Sequence, residues 1–410
     1  MLKTLNKETV FSTNLDKFFN PKSIAIIGVS RNLRKVGHVL YRNLIESGYS
    51  GKIFIVNKNA HTILGKKCYK SILNINEKID LAIISIPAQY VLEAIKECNK
   101  KNIKDIIVIS SGFSEIGNVN LENSLKKYLI ENKIRIIGPN CLGIFDAHYK
   151  LDSIFLPRYR LQRPDPGGIS FVTQSGAVGS AILDIATSKG HKFAKFISYG
   201  NGTVLDESDI IAYLGKDKHT KIICLYIEAV KDGKKFIKVM KEVSKKKPII
   251  AIKGGITNEG SKATLSHTGS LAGNAEIYFG VFKQVGIIRA ENLEEMLNFA
   301  SIFEKGIKPK GNRVQIITNG GGYGILSADA VGLSKRLKLA ELDKETIKYL
   351  KLKFMDIVTV GNPMDLVGDA TIRRYRLALD SCMDDKNVDI ILLIVLYQTP
   401  LLSTDIVDII

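Results

Sequence analysis

The sequence predicts an α/β protein built from three successive doubly wound domains. Short β-branched runs alternate with helical patterns almost throughout, as βαβ units and parallel sheets require. A length of 410 residues exceeds what one hydrophobic core usually organises, at roughly 100 to 200 residues per domain. Hydrophobic residues make up 45% and charged residues 24%, which excludes a disordered, collagenous or disulfide-rich chain.

In the first domain, expected over residues 1–155, strands read at Ser23 to Ile27, Lys52 to Val56, Leu81 to Ile86, Asp105 to Ile109 and Arg135 to Ile137. The stretch LPRYRLQRPDPGG, from Leu156 to Gly168, then breaks the pattern with three prolines, as a linker or domain-crossing loop would. A second domain over 156–308 follows, with strands at Ile169 to Val172, Phe193 to Ile197, Ile222 to Ile227 and Pro248 to Ile252. KPKGN, from Lys308 to Asn312, marks a further boundary. The third domain, 309–410, opens with Val314 to Ile317 and ends in the apolar run Ile390 to Tyr397. Ser403 or Thr404 could cap another helix, yet the sequence stops within about two turns, so this domain is expected to be truncated at its C-terminus.

The apolar run Ile390 to Tyr397 is far shorter than the roughly 20 residues that span a bilayer, so no membrane partner is expected. The first residues lack an apolar core with a small-residue cleavage site, which predicts a cytoplasmic protein. Five cysteines, Cys68, Cys98, Cys141, Cys224 and Cys382, form no CxxC pair. They read as packing residues in a reducing compartment, with no metal site. The net charge of +18 favours a polyanionic partner. It is spread along the chain without an aromatic-and-basic recognition motif, so nucleic acid is not expected; a phosphorylated cofactor and a Lys-rich background remain.

Each domain opens with an apolar strand that runs into a Gly-, Ser- or Asn-rich turn and then a helix. The turns are GVSRNLRKVG (Gly28 to Gly37), TQSGAVG (Thr173 to Gly179) and TNGGGYG (Thr318 to Gly324). Such turns let backbone N–H groups and a helix N-terminus meet an anion. The first is placed like a dinucleotide fingerprint but is not GxGxxG, and the second strand ends in Asn57 and Lys58 rather than in an acid. With Arg31, Arg34 and Lys35, this suits a nucleotide carrying an extra phosphate, coenzyme A or NADP; the alternative is a solvated basic loop. Ser85, Ile86 and Pro87, after the third strand, read either as cleft lining or as a plain turn. Gln174, Ser175 and Gly176, and Asn319 with Gly320, Gly321 and Gly322, could bind phosphate by the same logic, although close helix packing also selects Gly.

Among six histidines, His267 stands apart. Its surroundings, ATLSHTGSLAGN, are small and polar with no apolar period, which fits a core histidine poorly. His38, His61, His148, His191 and His219 read as surface or structural. A nucleophilic imidazole needs one nitrogen exposed and the other held by an acceptor. Glu228 is a candidate acceptor, because it ends the strand Ile222 to Ile227 at the edge where open α/β sheets bind ligands. The alternative is an exposed strand-end carboxylate.

SHTGSLAG (266–273), VTQSGAVG (172–179), IGPNCLG (137–143), NGGGYG (319–324) and NPMDLVGDA (362–370) together resemble the α subunit or α portion of the ADP-forming acyl-CoA synthetases, relatives of succinyl-CoA synthetase. The resemblance covers nearly the whole chain. It implies a Rossmann-like CoA-binding domain followed by two flavodoxin-like domains, the first of which carries the phosphorylated histidine. By that resemblance His267 is the residue phosphorylated in turnover and Glu228 stabilises it. Gly28, Ser30, Lys35, Val36, Gly37, Asn57 and Lys58 would hold CoA, Pro87 and Asn140 would line the cleft near its thiol, and the Ser175 and Asn319 turns would bind phosphate. GNGTVLDE, 200–207, differs from the family's usual Asn-rich loop. No ATP-grasp segment appears, so Mg and ATP or ADP would come only through an ATP-grasp β subunit or fused portion. Short carboxylic acids, phosphate and CoA are the expected substrates, and an oligomer is expected. An NADP-dependent oxidoreductase or a CoA-responsive scaffold without catalysis are the competing classes.

Overall fold

The computed structural model describes residues 14–262, 274–306 and 308–409. The chain divides into two units, Met1–Gly306 and Ile307–Ile410.

The first unit contains two seven-stranded sheets. The strands of the first sheet are β1 (Ser23–Ile27), β2 (Lys52–Val56), β3 (Thr62–Ile63), β4 (Lys66–Tyr69), β5 (Leu81–Ile84), β6 (Asp105–Val108) and β7 (Arg135–Ile137). Their order is β3-β4-β2-β1-β5-β6-β7, parallel apart from the β3–β4 hairpin. Every residue of β1, β5 and β6 is buried. Burial on both faces is why these strands read as unbroken apolar runs rather than alternating ones.

The second sheet is formed by β8 (Ile144–Asp146), β9 (Leu151–Asp152), β10 (Pro166–Thr173), β11 (Phe193–Ser198), β12 (Ile222–Ile227), β13 (Ile249–Lys253) and β14 (Ile288–Arg289). Its order is β14-β13-β12-β10-β11-β8-β9. The strands β10 to β14 run parallel, whereas β8 lies antiparallel on β11 and β9 antiparallel on β8. The chain thus enters the second sheet at Ile144, ahead of the proline-rich stretch. On this sheet the helix Gly176–Ser188 buries Gly179, Ile182, Leu183 and Ala186, the i, i+3, i+4, i+7 spacing of one helix face. Gly179 is needed there, since a Cβ would lie 2.6 Å from the Phe196 ring.

The proline-rich stretch is not a free linker. Arg163 is buried, and its Nε lies 3.0 Å from the Asp152 carboxylate, which Arg158 also approaches at 2.7 Å. Burial holds the Asp152 carboxyl above its usual range, with both arginines acting against it. The Asn43 amide donates to the Ile154 and Leu156 carbonyls at 2.6 and 2.9 Å, tying the stretch to the helix Val36–Glu46. On β11, inside the second sheet, the fully buried Lys195 ammonium sits 3.0 Å from both Asp146 and Asp217.

The second unit is a smaller α/β layer. The strand β15 (Arg313–Thr318) pairs in parallel with β16 (Lys338–Leu339), β17 (Met364–Asp365) and β18 (Ile390–Ile394). The run Ile390 to Tyr397 leaves the sheet at Ile394 because Asn319 takes both backbone groups of Leu396, accepting its N–H at 2.7 Å and donating to its carbonyl at 3.3 Å. The five cysteines are buried and unpaired, as packing residues should be. Among the described residues, no helix is long and apolar enough to cross a membrane.

Candidate active site

The turn after β1 is shaped by two glycines. Gly28 has φ of +103°, and a Cβ on Gly37 would sit 2.2 Å from the Gly28 carbonyl. Only glycine allows the start of the helix Val36–Glu46 to close on the strand end this tightly. Its N-cap, Lys35, makes no side-chain cap bond, so the first amides are not taken by a capping side chain. The Ser30 hydroxyl accepts the Asn32 N–H at 3.0 Å, and the Ser30 carbonyl lies 2.9 Å from His38 Nδ1, which makes the buried His38 a structural residue. The Asn57 amide donates to the Val29 carbonyl at 2.6 Å while its Oδ1 accepts the Asn59 N–H at 2.7 Å. Asn57 therefore builds the turn, whereas Lys35 and Lys58 are exposed cations.

A cleft of about 490 Å³ opens at the carboxyl edges of the two sheets, lined by Val36, Ser85, Ile86, Pro87, Asn140, Gln174, Ser175, Gly176, Asn201 and Lys231 among others. It unites Pro87, Asn140 and Val36 with the Gln174–Gly176 turn; Gly28, Ser30, Lys35, Gly37, Asn57 and Lys58 lie outside its lining. Asn140 has φ of +58°, and its amide reaches Asn201 Oδ1 at 3.3 Å. Asn201 donates in turn to Glu115 at 2.8 Å and Glu122 at 3.0 Å. Burial pushes the Glu122 carboxyl up, but hydrogen bonds from Ser114, Thr203 and Asn201 outweigh it and hold the group below its ordinary value. The Lys231 ammonium donates to the Asn201 carbonyl at 2.5 Å. Ser175 is the N-cap of the helix Gly176–Ser188, accepting the Val178 N–H at 3.4 Å.

Glu228 follows β12 and is only 6% exposed, which removes the exposed strand-end alternative. Its carboxylate accepts from the Tyr226 hydroxyl at 3.3 Å. Its peptide N–H and that of Ala229 donate to Gln174 Oε1 at 2.9 and 3.1 Å. Beside it, burial pushes the Lys253 ammonium down, opposed by Glu228. His267 lies outside the described residues; its segment leaves β13 through Lys253 and Gly254 and ends at Asn274, the N-cap of the helix Ala275–Val285.

The sequence reading missed an acidic layer behind this edge. The Tyr199 hydroxyl is buried with no hydrogen-bond partner among the described residues, and burial, with the nearby charges of Glu207, Asp206 and Glu228, pushes it far up. Burial and then Asp206 push the Glu207 carboxyl up to about 8. The same two causes raise Asp209 to about 6. The signal available was the run LDESD, carboxylates at 206, 207 and 209, opening a helix immediately beyond a strand-end glycine loop.

In the second unit the Asn319 amide is fully engaged. Besides its two bonds to Leu396 it accepts from the Tyr375 hydroxyl at 2.8 Å and donates to Thr399 at 3.2 Å. Gly320 N–H donates to Thr318 Oγ1 at 3.0 Å, and a Cβ on Gly321 would meet the Asp365 carboxylate at 2.8 Å. The side chain of Asn319 thus shapes the turn, and any anion there would be held by backbone groups of Gly321 and Gly322.

Comparison with known proteins gives this arrangement a class. Residues 22–147 match the family model described as a CoA binding domain, and residues 166–303 match the succinyl-CoA ligase like flavodoxin domain. The acetate–CoA ligase (ADP-forming) of Methanocaldococcus jannaschii is 46% identical over 351 residues, covering 86% of this chain and 49% of that protein. The α subunit of acetate–CoA ligase (ADP-forming) II from Pyrococcus furiosus is 41% identical, covering 94% of this chain and 83% of its own. The solved acetyl-coenzyme A synthetase 1 of Ca. Korarchaeum cryptofilum, in complex with phosphate and ADP, superposes with a TM-score of 0.87 at 33% identity, covering 94% of this chain and 82% of that one. The chain belongs to the ADP-forming acetate–CoA ligase family, as its α portion. It spans about half the length of the Methanocaldococcus relative.

Proposed function

We propose that the chain supplies the acyl-transfer half of an ADP-forming acyl-CoA synthetase, which converts acyl-CoA, phosphate and ADP into carboxylic acid, CoA and ATP. The observation that carries this reading is the single cleft in which Pro87 and Asn140 of the first sheet's edge face the Gln174–Gly176 turn of the second. A CoA thioester held by the first sheet would meet a helix N-terminus there. The reading divides the chain into a CoA-binding part, a ligase part whose sheet takes in β8 and β9 from Ile144 onward, and a third part from 309.

Gly28, Ser30, Lys35, Val36, Gly37, Asn57 and Lys58 form the CoA turn, glycines and Asn57 by shaping it and the lysines by charge. Phosphate oxygen attacks the thioester carbonyl, the C–S bond breaks, and CoA leaves as thiolate and takes up a proton. The amides of Gly176 and Ala177, at the helix start, stabilise the developing oxyanion. The His267 ring nitrogen then attacks phosphorus, releasing the carboxylate, while Glu228 holds the opposite ring N–H. The phosphoryl group finally passes to ADP on an ATP-grasp partner, a β subunit or fused portion, which also brings Mg. The acid is short, acetate being the default; the protein works in the cytoplasm, as an oligomer and without nucleic acid.

The test is to incubate the full chain with acetyl-CoA and radiolabelled phosphate. Wild type should acquire an acid-labile, alkali-stable label, and His267→Ala should acquire none. A labelled variant would overturn the role of His267, and ATP formation by the chain alone would overturn the need for a partner.

A further inference from the structure

Gln174 lines the cleft beside Ser175, where its amide nitrogen would conventionally be assigned to phosphate. Its hydrogen bonds point elsewhere. The side-chain oxygen accepts two backbone donors at once, the Glu228 N–H at 2.9 Å and the Ala229 N–H at 3.1 Å. Because both contacting groups are N–H donors, only the oxygen of the side-chain amide can make these contacts. The Gln174 backbone N–H continues the pairing by donating to the Tyr226 carbonyl at 3.3 Å. β12 ends at Ile227, so the Glu228 and Ala229 amides lie beyond its last residue. Glu228 and Ala229 are buried, so an unanswered pair of amides at that depth would be costly and the strand end would shift to find partners.

We infer that Gln174 is a positioning residue: its carbonyl oxygen pins the Glu228 strand end to the Ser175 turn, so the carboxylate that holds the histidine and the helix start that meets the phosphate move as one rigid piece. This rests on the role proposed for Glu228 above. Preorganisation of that kind matters because small misplacements of an orienting group cost large factors in rate. Ser175 itself is locked to the same piece, since its N–H donates to Thr173 Oγ1 at 3.1 Å while that hydroxyl donates to the Ser175 carbonyl at 2.8 Å. The oxygen does the work, and the amide NH2 is dispensable.

Two variants separate this from direct phosphate binding. Gln174→Glu keeps the acceptor, removes the donor and adds a negative charge to the cleft. Gln174→Ala removes both acceptor and donor. With acetyl-CoA and radiolabelled phosphate, Gln174→Ala should label at least tenfold more slowly than wild type, and Gln174→Glu should recover to within about threefold. A phosphate ligand would give the opposite order, with the anionic variant the worse of the two, and that order would overturn the inference. So would wild-type labelling in Gln174→Ala. Amide hydrogen exchange at Glu228 and Ala229 provides a readout independent of activity: protection should survive in Gln174→Glu and fall in Gln174→Ala. Unchanged protection in Gln174→Ala would overturn the inference even if the labelling agreed. If the wild-type chain took no label, the proposed function would fail, and the exchange pattern alone would decide whether Gln174 holds the strand end.

Discussion

Gly37 sits where any side chain would collide with the Gly28 carbonyl, 2.2 Å from an added Cβ. Gly37→Ala should therefore cost about 1–3 kcal/mol, seen as a lower melting temperature, and weaken CoA at least tenfold by calorimetry, because the turn must open. Glu207 makes a prediction of opposite character. Its carboxyl is higher in the folded protein, about 8, than in an unfolded chain, about 4. The folded state then binds more protons between those limits, so this group's contribution falls as pH rises from about 4 through about 8. Glu207→Gln should match wild type in melting temperature near pH 4 and exceed it progressively toward pH 8; a difference independent of pH would contradict the buried, protonated acid. Residue identity and a strand-end position made Glu228 a candidate, and the structure adds that it is buried. Residue identity could not reach the use of Asn57 and Asn319 as turn builders, because which lone pairs of an amide are filled depends on partners such as Leu396, 77 positions away.

At the scale of elements, strands buried on both faces were legible as apolar runs, and β1, β2, β7 and β12 lie where the sequence puts them. Two-residue strands such as β9 and β16 were not, since no period can be read from two residues and their pairing is set by neighbours. The three prolines marked the stretch from Leu156 to Gly168 as a linker or domain-crossing loop, but they could not show that Arg158 and Arg163 pair with the buried Asp152. Removing Arg163 takes away the more deeply buried of the two guanidinium partners of Asp152 and leaves Arg158 to balance the carboxylate. Arg163→Met should cost about 3 kcal/mol in urea unfolding, with Asp152→Asn, Arg163→Met together costing less than the single change. A double-variant loss equal to the sum of the two single losses would mean the pair carries no coupling.

At the scale of the whole molecule, the +18 charge makes a prediction for the proposed CoA site. Raising salt from low to physiological ionic strength should slow CoA association several-fold while leaving dissociation nearly unchanged; an insensitive on-rate would assign the lysines to background composition. The order of a CoA-binding and then a flavodoxin-like domain was legible, but the way the second sheet borrows β8 and β9 was not, since antiparallel edge strands carry no crossover helix to announce them. That borrowing decides how the protein can be dissected. A fragment starting at residue 156 would strip β11 of its neighbour, leave the Lys195 ammonium in the interior with one carboxylate in place of two, and offer a bare apolar margin to other copies. An excised ligase half that stays monodisperse should have to begin ahead of Ile144.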